Sequence, residues 1–205
     1  MLSIIIGSLF LLVIFRYFIL KFKKNNKRTV STMIVLGSGG HTTEMIEIVK
    51  NLNKDIFIPQ VFVMANTDLT SEKRITCFNN VTVEKIPRSR EVKQSYITSI
   101  YTTFISIIYS LRIVWKYNPD LILCNGPGTC IPICFWGFIL KVMLITSAKI
   151  VYVESICRVR SLSLSGLIIY YTKIYEEIFV HWPELQLKYP KTKLKFSNNL
   201  LDKRL

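Results

Sequence analysis

From Thr29 onward, short β-branched runs alternate with stretches of helical period, a rhythm that few folds satisfy. Residues 33–36 are apolar and stop at Gly37, which predicts a buried strand. Met45, Ile48, Val49 and Leu52 then recur at helical spacing, so residues 42–53 read as a helix with one apolar face. Strands follow at 60–64 and 81–86, with a weaker helix over 68–78 between them. Residues 96–117 form a long helix whose stripe includes Ile97, Ile100, Phe104, Ile107, Ile108, Leu111, Val114 and Trp115. Asn118-Pro119-Asp120 ends it. Further strands are expected at 121–124, 150–153 and 178–180, and further helices at 131–145 and 162–175. Strands joined through helices imply right-handed crossovers and a mainly parallel sheet. The expected fold class is α/β: a doubly wound, Rossmann-like domain over residues 29–190.

The ends of the chain differ from this body. Residues 2–20 carry one charge, Arg16, and nearly supply the roughly 20 apolar residues that a membrane span needs. No small-residue cleavage site follows, so an anchor is expected rather than a removed signal, with an interfacial helix as the alternative. The basic juxtamembrane segment 21–28 holds Lys21, Lys23, Lys24, Lys27 and Arg28. Positive charge stays on the cytosolic side, which puts the body there too. Residues 191–205 form a second basic stretch, a candidate for docking a partner.

The net charge of +14 suits an anionic membrane surface. Nucleic acid is not expected, because the basic runs sit at the chain ends without interleaved aromatics on a sheet face. Half the residues are hydrophobic, which excludes general disorder. The five cysteines show no C-x-x-C and the two histidines lack ligand spacing, so neither a metal nor another cofactor is expected.

In open parallel sheets, ligands bind beyond the carboxyl ends of the strands. The unusual residues of this chain fall there repeatedly. The first strand ends in Gly37-Ser38-Gly39-Gly40-His41-Thr42-Thr43-Glu44. Three glycines at a helix start let a backbone approach an anion, and phosphate is the natural guest. The spacing fits neither a P-loop nor a dinucleotide fingerprint. Glu44 would repel such a guest unless it points aside. His41 reads as a general base or a hydrogen-bond donor to phosphate. Arg88, Ser89 and Arg90 follow the third strand and suit an anion clamp. Asn125, Gly126, Gly128 and Thr129 form a second glycine turn. Glu154 ends the fifth strand ahead of Arg158; it reads as a partner for sugar hydroxyls or as half of a buried ion pair.

Taken in order, these segments resemble one family. The stretches at 35–45, 86–92, 120–130, 154–166 and 182–190 are similar to motifs of the membrane-anchor subunit of the dolichol-pathway N-acetylglucosaminyltransferase. The bacterial glycosyltransferase that forms lipid II is a single-chain relative. Three departures are visible: His181 stands where the family usually has a glutamine, Thr172-Lys173-Ile174 differs from the small or acidic segment often found there, and the basic tail is longer. The resemblance implies the amino-terminal half of a split GT-B enzyme in the endoplasmic reticulum membrane. It implies a soluble catalytic partner that binds UDP-N-acetylglucosamine, recruited to the cytosolic face, and a dolichyl-diphosphate lipid acceptor. On that reading Gly37–Thr42 would face the diphosphate, with Asn125, Gly126, Gly128, Thr129, Glu154 and Arg158 lining the cleft. Two alternatives stay open: an autonomous small glycosyltransferase acting on a polyprenyl-diphosphate lipid, and a scaffold with a vestigial site.

Overall fold

The computed structural model describes residues 29–78, 82–90, 94–126 and 128–194. The expected anchor at 2–20, the basic segment at 21–28 and the tail beyond Leu194 lie outside the described residues, as do Glu91, Val92 and Pro127.

The chain runs β1 (Val30–Val35), α1 (Gly40–Lys50), β2 (Phe57–Ala65), α2 (Leu69–Arg74), β3 (Thr82–Ile86) and α3 (Tyr96–Tyr117). It continues with β4 (Leu121–Asn125), α4 (Cys130–Val142), β5 (Lys149–Val153), α5 (Leu164–Thr172), β6 (Glu177–Val180), α6 (Pro183–Lys188) and β7 (Lys193–Leu194). The seven strands form one sheet in the order β3-β2-β1-β4-β5-β6-β7. Every pairing is parallel. This is the doubly wound α/β order, with the switch point between β1 and β4. The sheet reaches Leu194, past the expected domain limit at 190, because β7 pairs Lys193 with Phe179 and Leu194 with Val180. A strand of two residues has too little pattern to be read from sequence.

The strands are apolar without interruption because both faces are covered. Side chains alternate across the sheet. Met33 and Val35 pack in one core with Ile113 and Val114 of α3, Ile133 of α4 and Ile169 of α5. Ile34 and Leu36 pack in the other with Met45 and Val49 of α1. Each such fully buried aliphatic contributes about 1.5–3 kcal/mol, so the two cores hold the strand ends, and the loops that leave them, in place.

Local chemistry sets the helix limits. Ser95 caps α3 by accepting from the Thr98 N–H, and Ser163 caps α5 by accepting from Gly166. Asn118 closes α3 in the left-handed conformation. Asp120 accepts from both the N–H and the hydroxyl of Ser31, which ties the start of β4 to β1. Of the apolar stripe on α3, Ile97, Ile100, Phe104, Ile108 and Trp115 are exposed, and Val114 is the member that is fully buried.

Candidate functional site

The carboxyl ends of β1, β3, β4 and β5 converge on one rim. Gly39 takes a φ of 67°, which turns the chain from β1 into α1. As the residue before the helix it offers no capping side chain, so the first N–H groups of α1 are left for a ligand or water. A Cβ on either Gly39 or Gly40 would meet nothing within 4 Å, so the space before this turn is open. The loop is held from outside the motif. Arg74, at the end of α2, donates to the Gly39 carbonyl at 3.1 Å and to the Thr43 hydroxyl.

His41 stands on Gly126. A Cβ at position 126 would lie 2.5 Å from the His41 ring, and Gly126 has a φ of 96°, so both space and backbone require glycine there. His41 Nδ1 lies 2.9 Å from Asn125 Oδ1. The Asn125 amide N–H donates to Glu44 Oε2 at 2.9 Å, and the Ser155 hydroxyl donates to Glu44 Oε1 at 2.8 Å. This chain fixes the amide orientation: its nitrogen faces a carboxylate, so its oxygen faces the histidine. His41 Nδ1 must then carry the hydrogen, and in the neutral ring Nε2 keeps its lone pair. Glu44 therefore points aside, toward the ends of β4 and β5, and its charge orients the histidine through Asn125.

Beside this group lies a cavity of about 740 Å³ between α3 and α5. It gathers Ser38, Arg88, Ser89, Arg90, Gly128, Thr129 and Arg158, which come from four separate loops. Arg90 also donates to the Gln94 carbonyl at 3.2 Å, just ahead of α3.

Other expected site residues have a different place. Thr42 is fully buried; its hydroxyl lies against the Gly37 carbonyl and the Ser71 hydroxyl, so it braces the loop from below. The Ser89 hydroxyl donates to Ser106 of α3 at 3.2 Å, so this residue lines the wall with its hydroxyl engaged. Asn125 is fully buried, its side chain held between His41 and Glu44. Glu154 is the clearest correction. It is fully buried rather than cleft-lining, and its oxygens accept from the Ser155 N–H at 3.0 Å and from the Ser163 N–H and hydroxyl at 2.8 and 3.0 Å. It latches the loop that carries Arg158 back onto the sheet. Gly166 serves this latch, since a Cβ there would lie 2.4 Å from Glu154 Oε2.

Burial pushes the Glu154 carboxyl above its ordinary value, and the hydrogen bonds from Ser163 and Ser155 partly offset this. The folded state thus holds a proton that the unfolded state releases, so this group takes stability away as pH rises above 4.5. Glu154→Gln removes that pH slope but turns an amide N–H₂ toward backbone donors. The expected result in denaturant titrations is a loss of about 1–3 kcal/mol near neutral pH, with no decline attributable to position 154.

Sequence reasoning passed over two contributors, Arg74 and Tyr152. Arg74 belongs to a helix remote in sequence from the loop it grips. Tyr152 is fully buried under the rim, its hydroxyl 3.0 Å from both the Gly126 carbonyl and Ser163 Oγ. A tyrosine inside a strand shows neither role by its spacing.

Known proteins resemble this chain in sequence and in fold. A family model described as oligosaccharide biosynthesis protein Alg14 like matches residues 32–197. The UDP-N-acetylglucosamine transferase subunit ALG14 of Mus musculus is 43% identical over 180 residues, covering 81% of this chain and 82% of the mouse protein. The Schizosaccharomyces pombe subunit of the same name is 37% identical over 195 residues, covering 90% of each. Among solved structures, MurG of Acinetobacter baumannii superposes with a TM-score of 0.56 at 13% identity, a likeness of fold. That match covers 76% of this chain but 43% of MurG, so this chain spans less than half of that protein.

Proposed function

Since the chain belongs to the Alg14 family of oligosaccharide biosynthesis proteins, we propose that it is the acceptor-binding half of a two-part transferase. It is a UDP-N-acetylglucosamine transferase subunit of the N-glycan pathway, with a glycosyltransferase-like α/β fold. The observation that carries the finer reading is the convergence of Ser38, Arg88, Arg90 and Arg158 on one cavity beside an uncapped helix start. Arginine forks and helix N-termini both favour phosphate oxygens. A diphosphate on a lipid carrier fits that chemistry.

On this proposal the diphosphate of a dolichyl-linked N-acetylglucosamine rests between the β1–α1 turn and the three arginines. His41 Nε2 faces the acceptor sugar, where it takes the proton of the attacking hydroxyl or donates to phosphate. A soluble catalytic partner brings UDP-N-acetylglucosamine and closes the cleft from the other side. The anchor at 2–20 keeps the body at the cytosolic face of the endoplasmic reticulum, where tethering raises the effective concentration of site and lipid.

Reconstitution tests this reading. Sugar transfer to an N-acetylglucosaminyl-diphosphate lipid is measured with the full chain alone, with the soluble partner alone and with both. Turnover is expected from the pair. Comparable turnover from this chain by itself overturns the split-enzyme reading.

A further inference from the structure

The cavity has a second half that a diphosphate does not explain. Beyond the arginines its walls are Ile100, Phe104 and Ile107 of α3, facing Leu164 and Ile168 of α5. These side chains are wet: Ile100 is 72% exposed, Phe104 60%, Leu164 54% and Ile168 38%. A purely polar ligand would leave them so. The spacing extends the path. Ile97, Ile100, Phe104 and Ile108 recur along one side of α3, so an apolar stripe runs from the cavity out over the helix. Leu164 and Ile168 face it at the i, i+4 spacing of α5. Apolar surface of this extent on a folded domain marks a binding surface. Its union with a basic end is the complement of one kind of molecule, an anionic headgroup joined to a flexible hydrocarbon.

We infer that the α3–α5 trough holds the first isoprene units of the polyprenyl acceptor. This rests on the diphosphate reading above and adds that the chain recognises the lipid as well as its headgroup. The carrier then leaves the site along α3, its chain replacing water on Phe104 and Ile168.

The test uses the full chain with its catalytic partner in detergent. Two acceptors share the N-acetylglucosaminyl-diphosphate headgroup; one carries a long polyprenyl chain and the other a short alkyl chain. The double variant Phe104→Ser/Ile168→Ser changes exposed positions. Its preference for the long over the short acceptor, as a ratio of kcat/KM values, is expected to fall about tenfold or more, through KM. An equal loss on both acceptors, or no change on either, overturns the trough; these are the outcomes if α3 instead meets the bilayer or another protein. Arg88→Ala separates the two readings. If it weakens both acceptors while the double variant leaves the ratio unmoved, the trough fails and the diphosphate seat stands. If Arg88→Ala weakens neither, the diphosphate seat fails and the trough with it. A photoactivatable isoprenoid diphosphate is expected to label peptides of α3 and α5, and labelling confined to other elements overturns the trough.

Discussion

His41→Ala is expected to lower kcat of the assembled transferase by about 10²–10⁴-fold, the usual contribution of a positioned acid–base group. Its geometry singles it out. The ring stands on Gly126 with Nδ1 committed to Asn125, and on the proposed reading Nε2 serves the acceptor. The fold loses little, since His41 is half-buried and gives up the hydrogen bond to Asn125 at the rim. His41→Gln separates the two roles. A glutamine amide donates a hydrogen bond but takes no proton at neutral pH, so activity near wild type makes His41 a phosphate contact, and activity near the alanine level makes it the base. Unchanged turnover in the alanine variant overturns both roles.

Gly126→Ala is expected to cost nearly as much activity by a different route. The added methyl would sit 2.5 Å from His41 Cγ and Nδ1, so the ring must leave its place and give up Asn125. The left-handed backbone adds about 1–2 kcal/mol of strain, which lowers Tm by roughly 2–8 °C in a chain of this size. Gly39→Ala supplies the strain without the collision, because its Cβ meets nothing within 4 Å. It should match the loss in Tm without displacing the histidine. In the double variant His41→Ala/Gly126→Ala the second change should add little to the loss of activity. Additive losses would show that Gly126 acts on the reaction independently of His41.

Much of this was legible in the chain itself. Glycine and polar punctuation after each apolar run marks the strand ends, and a parallel sheet brings those ends to one edge. That logic reaches Ser38, Arg88, Gly128 and Arg158, which share the cavity. It stops where a side chain's direction decides its role. Glu154 follows a strand as Asn125 ends one, yet it turns inward to Ser163 instead of lining the cleft. Thr42 lies beside His41 but belongs to the interior. Arg74 reaches the glycine turn across a gap in sequence that no spacing rule spans. The stripe on α3 stops short for a related reason, because amphipathic periodicity reports an apolar face and not what covers it.

The carboxylate of Glu44 joins three loops at once, since it meets Asn125 and Ser155 while its own helix carries His41. An inheritance consequence follows. A replacement at 44 or 125 cuts His41 off from Ser155, and one at 41 or 155 leaves its immediate neighbour short of a partner, so the four should co-vary as a set among descendants of a common ancestor.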